Sequence, residues 1–155
     1  MRPMGARSLL VLIAALVLGP VAATRAAEPH GIAVIVAHGA GPSEMERRTL
    51  ALIYQRKMRF WEGGGRIAPA NLPANHPVRR AFSQAVLGHT PEELDDYWRD
   101  QYFHGELPPF VASSEEAMIR FVAATPGAIG YVSECLTDKR VNVVMVIPDG
   151  PPCAR

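Results

Sequence analysis

The sequence predicts an α/β domain built on a mixed or largely parallel sheet, and three observations predict it. A continuous apolar run, IAVIV at 32–36, and a strongly β-prone run, VNVVMVI at 141–147, read as strands; the first reads as buried on both faces. Between the strands lie helix-opening signatures: Ser43 with Glu46, Thr90 with Glu93 and Ser113 with Glu116, each a hydroxyl followed three residues later by a glutamate. Strand and helix signals then alternate along the chain, with no internal repeat or low-complexity tract.

Taken in order, the strand at 32–36 runs into a flexible, glycine-rich loop at 37–42. Ser43 fits an N-cap, and the helix continues to about Arg56 with Leu50, Ile53 and Tyr54 on one face. A basic, aromatic tail follows (Arg56, Lys57, Arg59, Phe60, Trp61). Its charges read either as a contact for an acidic ligand or partner, or as a solvated helix end that complements the dipole, with Phe60 and Trp61 packed in the core. A glycine turn at 63–65 leads to a strand at 66–70, and 72–75 delivers the chain to a helix over 76–87. Asn75 is its expected N-cap, Pro77 is tolerated in the first turn, and Gly88 supplies the stop. Val78, Phe82, Ala85 and Val86 form its apolar stripe.

Thr90-Pro91-Glu92-Glu93 opens another helix, with a cap, a proline at the first position and a glutamate at the third; Leu94, Tyr97 and Trp98 give it a buried side. Residues 104–109 read as a loop. The helix behind Ser113 carries Met118, Phe121 and Val122 and stops before Pro126-Gly127. Strands follow at 128–132 and 141–147, and the tail from 148 to 155 is irregular.

The first residues read as an export signal, with Arg2 and Arg7 ahead of a ten-residue apolar core at 9–18, too short to span a bilayer. Cleavage is expected after Ala26, with Ala23 and Ala27 as alternatives and an uncleaved anchor as the competing reading. Removal of residues 1–26 leaves 129 residues, enough for one domain with a real core, here a domain over 31–150. The 16 Lys and Arg fall to 13 against 15 Asp and Glu, a net charge of −2. Nucleic-acid binding normally shows as a strongly basic balance, so no nucleic-acid partner is expected. The location is periplasmic or secreted. In such an oxidising compartment the pair Cys135 and Cys153 suggests one disulfide, with two free thiols as the alternative.

Several pieces carry a family likeness. Ile53-Tyr54-Gln55-Arg56-Lys57, Trp61-Glu62-Gly63-Gly64, Arg66-Ile67-Ala68-Pro69 and Pro126-Gly127-Ala128-Ile129-Gly130-Tyr131-Val132 together resemble the second lobe of the phosphate-binding proteins that feed phosphate ABC transporters. These belong to the type II periplasmic binding protein group, and the likeness covers residues 32–147. It implies one lobe of that fold and a function in binding a small anion such as phosphate, without catalysis. A membrane transporter or sensor protein is the implied partner. A lone lobe presents an open half-site, so tight capture implies a second subunit, as in a homodimer.

In an open α/β sheet, ligands sit beyond the carboxyl ends of strands, where helices begin. That rule selects two loops. The candidate ligand-binding residues are Asn75, His76, Val78 and Arg79 at one helix start, with Arg80 nearby, and Gly41 and Ser43 in the first loop. The family grips phosphate with Ser-Gly-Thr at the first of these helix starts. This chain has Asn75-His76-Pro77-Val78 there, without a hydroxyl and with one N–H donor removed by Pro77. The competing readings are an ordinary capped helix, a plain connecting loop, and an interaction or sensory module that has lost phosphate binding.

Neither metal nor cofactor is expected. His30, His38, His76, His89 and His104 show no HExxH or paired spacing. Glu92/Glu93, Asp95/Asp96 and Glu115/Glu116 sit at helix starts, where capping explains them. Ser113 and Ser114 lie in a cap context without a GxSxG elbow, so no enzyme is expected.

Overall fold

A computed structural model of the chain describes residues 31–39, 41–148 and 150–153. The expected export signal over 1–26 and its cleavage point lie outside the described residues. Five strands and four α-helices follow in the order β1 (Ile32–Ala37), α1 (Arg47–Tyr54), β2 (Ala68–Asn71), α2 (Pro77–Leu87), α3 (Asp95–Phe103), β3 (Phe110–Val111), α4 (Glu115–Ala124), β4 (Ala128–Ser133) and β5 (Val141–Ile147). Short 3₁₀ turns at Glu92–Leu94 and Glu134–Leu136 complete the list.

The strands make one mixed sheet in the order β3-β2-β4-β1-β5. β2 runs parallel to both β3 and β4, whereas β1 runs antiparallel to β4 and β5. The register pairs Ile32 with Ser133 and Val36 with Ile129. β1 therefore ends where β2 and β4 begin. We call the end of the sheet where β2 and β4 finish the carboxyl edge and the opposite end the amino edge.

Helices cover both faces. Gly130 admits α4: a Cβ there would lie 2.4 Å from Met118 Sδ. On the other face Tyr131 of β4 stacks on Phe82 of α2 (centroids 3.7 Å, interplanar 5°), and Tyr54 of α1 meets Phe82 edge-on at 4.7 Å. An edge-on pair such as Tyr54–Phe82 contributes about 0.5–1.5 kcal/mol beyond its area. β1 lies between β4 and β5 with all six residues buried, as its continuous apolar run predicts.

β5 and the helix of α2 match the expected spans, and Gly88 closes α2 in the left-handed region (φ 73°). The Thr90–Glu93 capping box forms in both directions: Glu93 N–H donates to Thr90 Oγ1 and Thr90 N–H to a Glu93 carboxylate oxygen. The first turn behind it is 3₁₀, and Tyr97 and Trp98 are only half-buried. Cys135 and Cys153 form the expected disulfide (Cα–Cα 6.4 Å), which ties the tail beyond β5 to the turn after β4.

Three cap assignments are corrected. α1 begins at Arg47, not Ser43, because Met45 N–H donates to Val144 O and holds the preceding segment against β5; Glu46 is the cap residue and Ser43 is exposed. The N-cap of α2 is His76 rather than Asn75: Pro77 bars the residue before it from helical ψ, and His76 adopts ψ 131°. α4 is capped by Ser114, one residue beyond Ser113, through Ala117 N–H to Ser114 Oγ at 3.1 Å. β2 spans 68–71 rather than 66–70, while Arg66 makes an isolated antiparallel bridge with Phe60. Phe60 is 54% exposed, so only Trp61 of that aromatic pair packs on the core.

Candidate functional site

The carboxyl edge is assembled from three chain segments. β2 ends at Asn71 and passes through Leu72 into the turn before α2, closed by His76 N–H donating to Pro73 O. β4 ends at Ser133, and α4 begins at Glu115 opposite it. The N-termini of α2 and α4 thus meet beyond the same strand ends. This geometry presents the positive ends of two helix dipoles at one place.

His76 links the two helices. Its Nδ1 accepts from Val78 N–H at 3.3 Å, which caps α2. In the neutral ring that contact puts the proton on Nε2, and Nε2 faces Glu115 Oε1 at 3.8 Å. The Glu115 carboxylate is 11% exposed. It accepts from the backbone N–H of Ser133 and from Ser133 Oγ (3.2 Å). A protein carboxylate therefore already stands among the donors of this edge.

Arg79, in the first turn of α2, is buried at 8% exposure. Its Nε donates to Ser83 Oγ (3.0 Å), and one terminal nitrogen reaches Leu72 O (3.5 Å), which brings the guanidinium to the carboxyl edge. Among the described residues no carboxylate lies within ion-pair distance of it. A buried cation without an anion is costly and rare. Beneath it Tyr131 Oη accepts from Leu72 N–H (3.2 Å) and donates to Asn71 Oδ1 (3.0 Å). Burial pushes the Tyr131 phenol up to about 12, against a smaller opposing pull from Arg79. Burial raises Tyr54 as well, reinforced by Tyr131.

Of the sequence-derived candidates, His76, Val78 and Arg79 converge at this edge, and Asn75 stands exposed in the turn before it. Arg80 points away and pairs with Glu92 at 2.5 Å. Gly41 and Ser43 do not join them. Because β1 is reversed, its following loop reaches the amino edge, where Gly41 lines a cleft of about 790 Å³ with Trp61, Arg66 and Gly127. Glu115 reads from the sequence only as a capping acid, and Ser133 lies one residue beyond the expected strand at 128–132; the doubled Glu115/Glu116 behind two serines is the signal that marks the helix start.

Two charges of the basic tail are paired, and Lys57 is exposed. Arg56 and Arg59 both pair with Glu106, Arg56 at 3.9 Å, which pins the loop after α3. Among the described residues no group of three or more His, Cys, Asp or Glu side chains could hold a metal ion. No described helix is long and apolar enough to cross a membrane.

No family model and no curated protein sequence matches the chain. Solved structures do. A protein assigned as a phosphate ABC transporter substrate-binding protein, with bound phosphate, from Clostridium perfringens superposes with a TM-score of 0.61 at 24% identity, over 74% of this chain and 44% of that one. An ABC-type phosphate transport receptor from Vibrio cholerae gives 0.60 at 20% identity, over 74% and 45%. PstS from Borrelia burgdorferi gives 0.53 at 17% identity, over 67% and 40%. At such identities the likeness establishes the fold. The chain has the α/β fold of a periplasmic-binding-protein-like lobe and spans less than half the length of each of these proteins.

Proposed function

We propose that this chain is an exported, non-catalytic binding-protein-like lobe whose carboxyl edge offers a half-site for a small anion such as phosphate, serving phosphate-type ABC transport. The observation that carries this reading is Arg79, a buried guanidinium at the edge with no acidic partner among the described residues. The capped N-termini of α2 and α4 supply dipole and N–H donors beside it. Glu115 is the built-in competitor, because its carboxylate takes the donors of Ser133 and faces His76 Nε2 at 3.8 Å. A half-site of this kind binds weakly alone, near the millimolar scale of about −4 kcal/mol, and tightens when a second lobe or a second copy closes over it.

A thermal-shift series with phosphate, sulfate and acetate tests it, with Arg79→Met as the control for non-specific salt stabilisation. Phosphate should raise the wild-type midpoint more than that of Arg79→Met. Equal shifts in the two proteins up to 20 mM would contradict the reading.

A second reading, a module that docks on a transporter or sensor protein, is favoured by one observation. Tyr102, Phe103, Leu107, Phe110 and Val111 are all exposed along α3 and β3, with Phe103 at 80%, and β3 is an edge strand. Membrane pull-down that is lost in Phe103→Glu, with phosphate binding intact, would support it.

A further inference from the structure

We propose that the amino-edge cleft is a separate binding site for a small organic cation with an apolar body. Its volume, about 790 Å³, falls in the range of small-molecule pockets. The apolar side is built from Met45, Met58 and Trp61. The indole is held in place by Nε1 donating to Gly127 O at 3.3 Å, and Gly41 and Gly65 lie beside the ring, where a Cβ on either would make ordinary contact at 3.6 or 3.8 Å. A fixed indole beside an open cleft is the side chain best suited to a cation.

The charges lining the cleft select the same ligand. Glu44, Glu46 and Glu62 all line it, against Arg66 as the single basic residue of the lining. Among the described residues none of the three carboxylates forms an ion pair. An anion would meet this excess of negative charge; a neutral apolar molecule would leave it unused. A cation with an alkyl body satisfies both the carboxylates and the apolar wall. The site lies at the other end of the sheet from Arg79 and His76, and stands whether or not the anion half-site exists.

Trp61 reports on the site directly. In a Trp98→Phe background it is the sole tryptophan, and its fluorescence can be titrated with hexyltrimethylammonium, hexyl sulfate and hexanol. The cation should give a saturable change with a midpoint in the low millimolar range or below, and the two other probes should bind at least tenfold more weakly. The combined Glu44→Gln, Glu46→Gln, Glu62→Gln variant, checked for folding by circular dichroism, should weaken the cation at least tenfold. Phosphate at 10 mM should leave the titration unmoved. An unsaturable response to 20 mM cation, or equal binding of hexyl sulfate or hexanol to the unsubstituted glutamates, overturns the proposal without reference to any variant.

Discussion

At the carboxyl edge a buried arginine has no carboxylate within ion-pair distance among the described residues, and two helix N-termini point the same way. At the amino edge three carboxylates without an ion pair among the described residues line one cleft with a tryptophan and two methionines. The same sheet therefore presents opposite electrostatic character at its two ends. The cause is the direction of one strand. Had β1 run parallel to β4, its loop with Gly41 and Ser43 would have met Arg79 and His76. Antiparallel pairing of Ile32 with Ser133 sends that loop to the far end. A rule that places ligands beyond strand carboxyl ends holds edge by edge, and here it names two edges rather than one site.

The largest expected effect comes from the amino edge. Gly127 has φ 76°, and a Cβ there would lie 2.2 Å from the Arg66 carbonyl oxygen, on backbone that cannot swing away. Gly127 O also accepts from Ala68 N–H and Trp61 Nε1. Gly127→Ala should cost at least about 3 kcal/mol in urea denaturation; a cost under about 1 kcal/mol would mean that this edge is soft rather than a fixed wall. Next comes the disulfide at the carboxyl edge. Replacing Cys135 and Cys153 by serine should cost about 3 kcal/mol in the chain-entropy model, and an unchanged midpoint would show the tail to be dispensable.

Tyr131→Phe ranks third. It leaves Leu72 N–H and Asn71 Oδ1 without their partner, at about 1–3 kcal/mol. It also has a pH signature. A phenol raised from 10.0 to about 12 in the folded state stabilises fully below pH 10, and that contribution is lost as pH climbs towards 12. The variant should therefore show a shallower alkaline fall than the wild type over that window; parallel curves would contradict the burial of this hydroxyl.

The smallest effect belongs to the exposed cluster of Arg140 with Asp138 and Glu116 beside β5. Hydrogen bonding to Arg140 depresses Asp138 from 3.8 to about 2 and lowers Glu116. Depressed carboxyls stabilise above their ordinary range, and the gain disappears as pH falls from about 4 through 2. Thermal midpoints of Arg140→Met should decline less over that acid range than those of the wild type.

Much of the fold was legible because its signals are local. The IAVIV run, the VNVVMVI run, Gly88 and the Thr90–Glu93 box each act within a few residues. What escaped was decided by contacts distant in sequence. β3 is two residues long and exists through its parallel pairing with Ala70 and Asn71. Ser43 failed as a cap because β5 holds Met45. Of the site, His76, Val78 and Arg79 were named from the sequence, but Arg79 and Arg80 look alike there. Only the structure separates them, burying Arg79 with Ser83 one turn on and leaving Arg80 exposed to pair with Glu92. Glu115 was legible as a helix-start acid; its position beside His76 and Ser133 depends on where β4 ends.

Isothermal titration of phosphate into the wild type and Glu115→Gln tests the anion half-site most directly. The substitution keeps the shape of the side chain and removes the resident negative charge. The account predicts that Glu115→Gln binds phosphate at least fivefold more tightly than the wild type, and that adding Arg79→Met abolishes the gain. Absence of heat from both proteins at 10 mM phosphate, or an affinity that Glu115→Gln leaves unchanged, would contradict it.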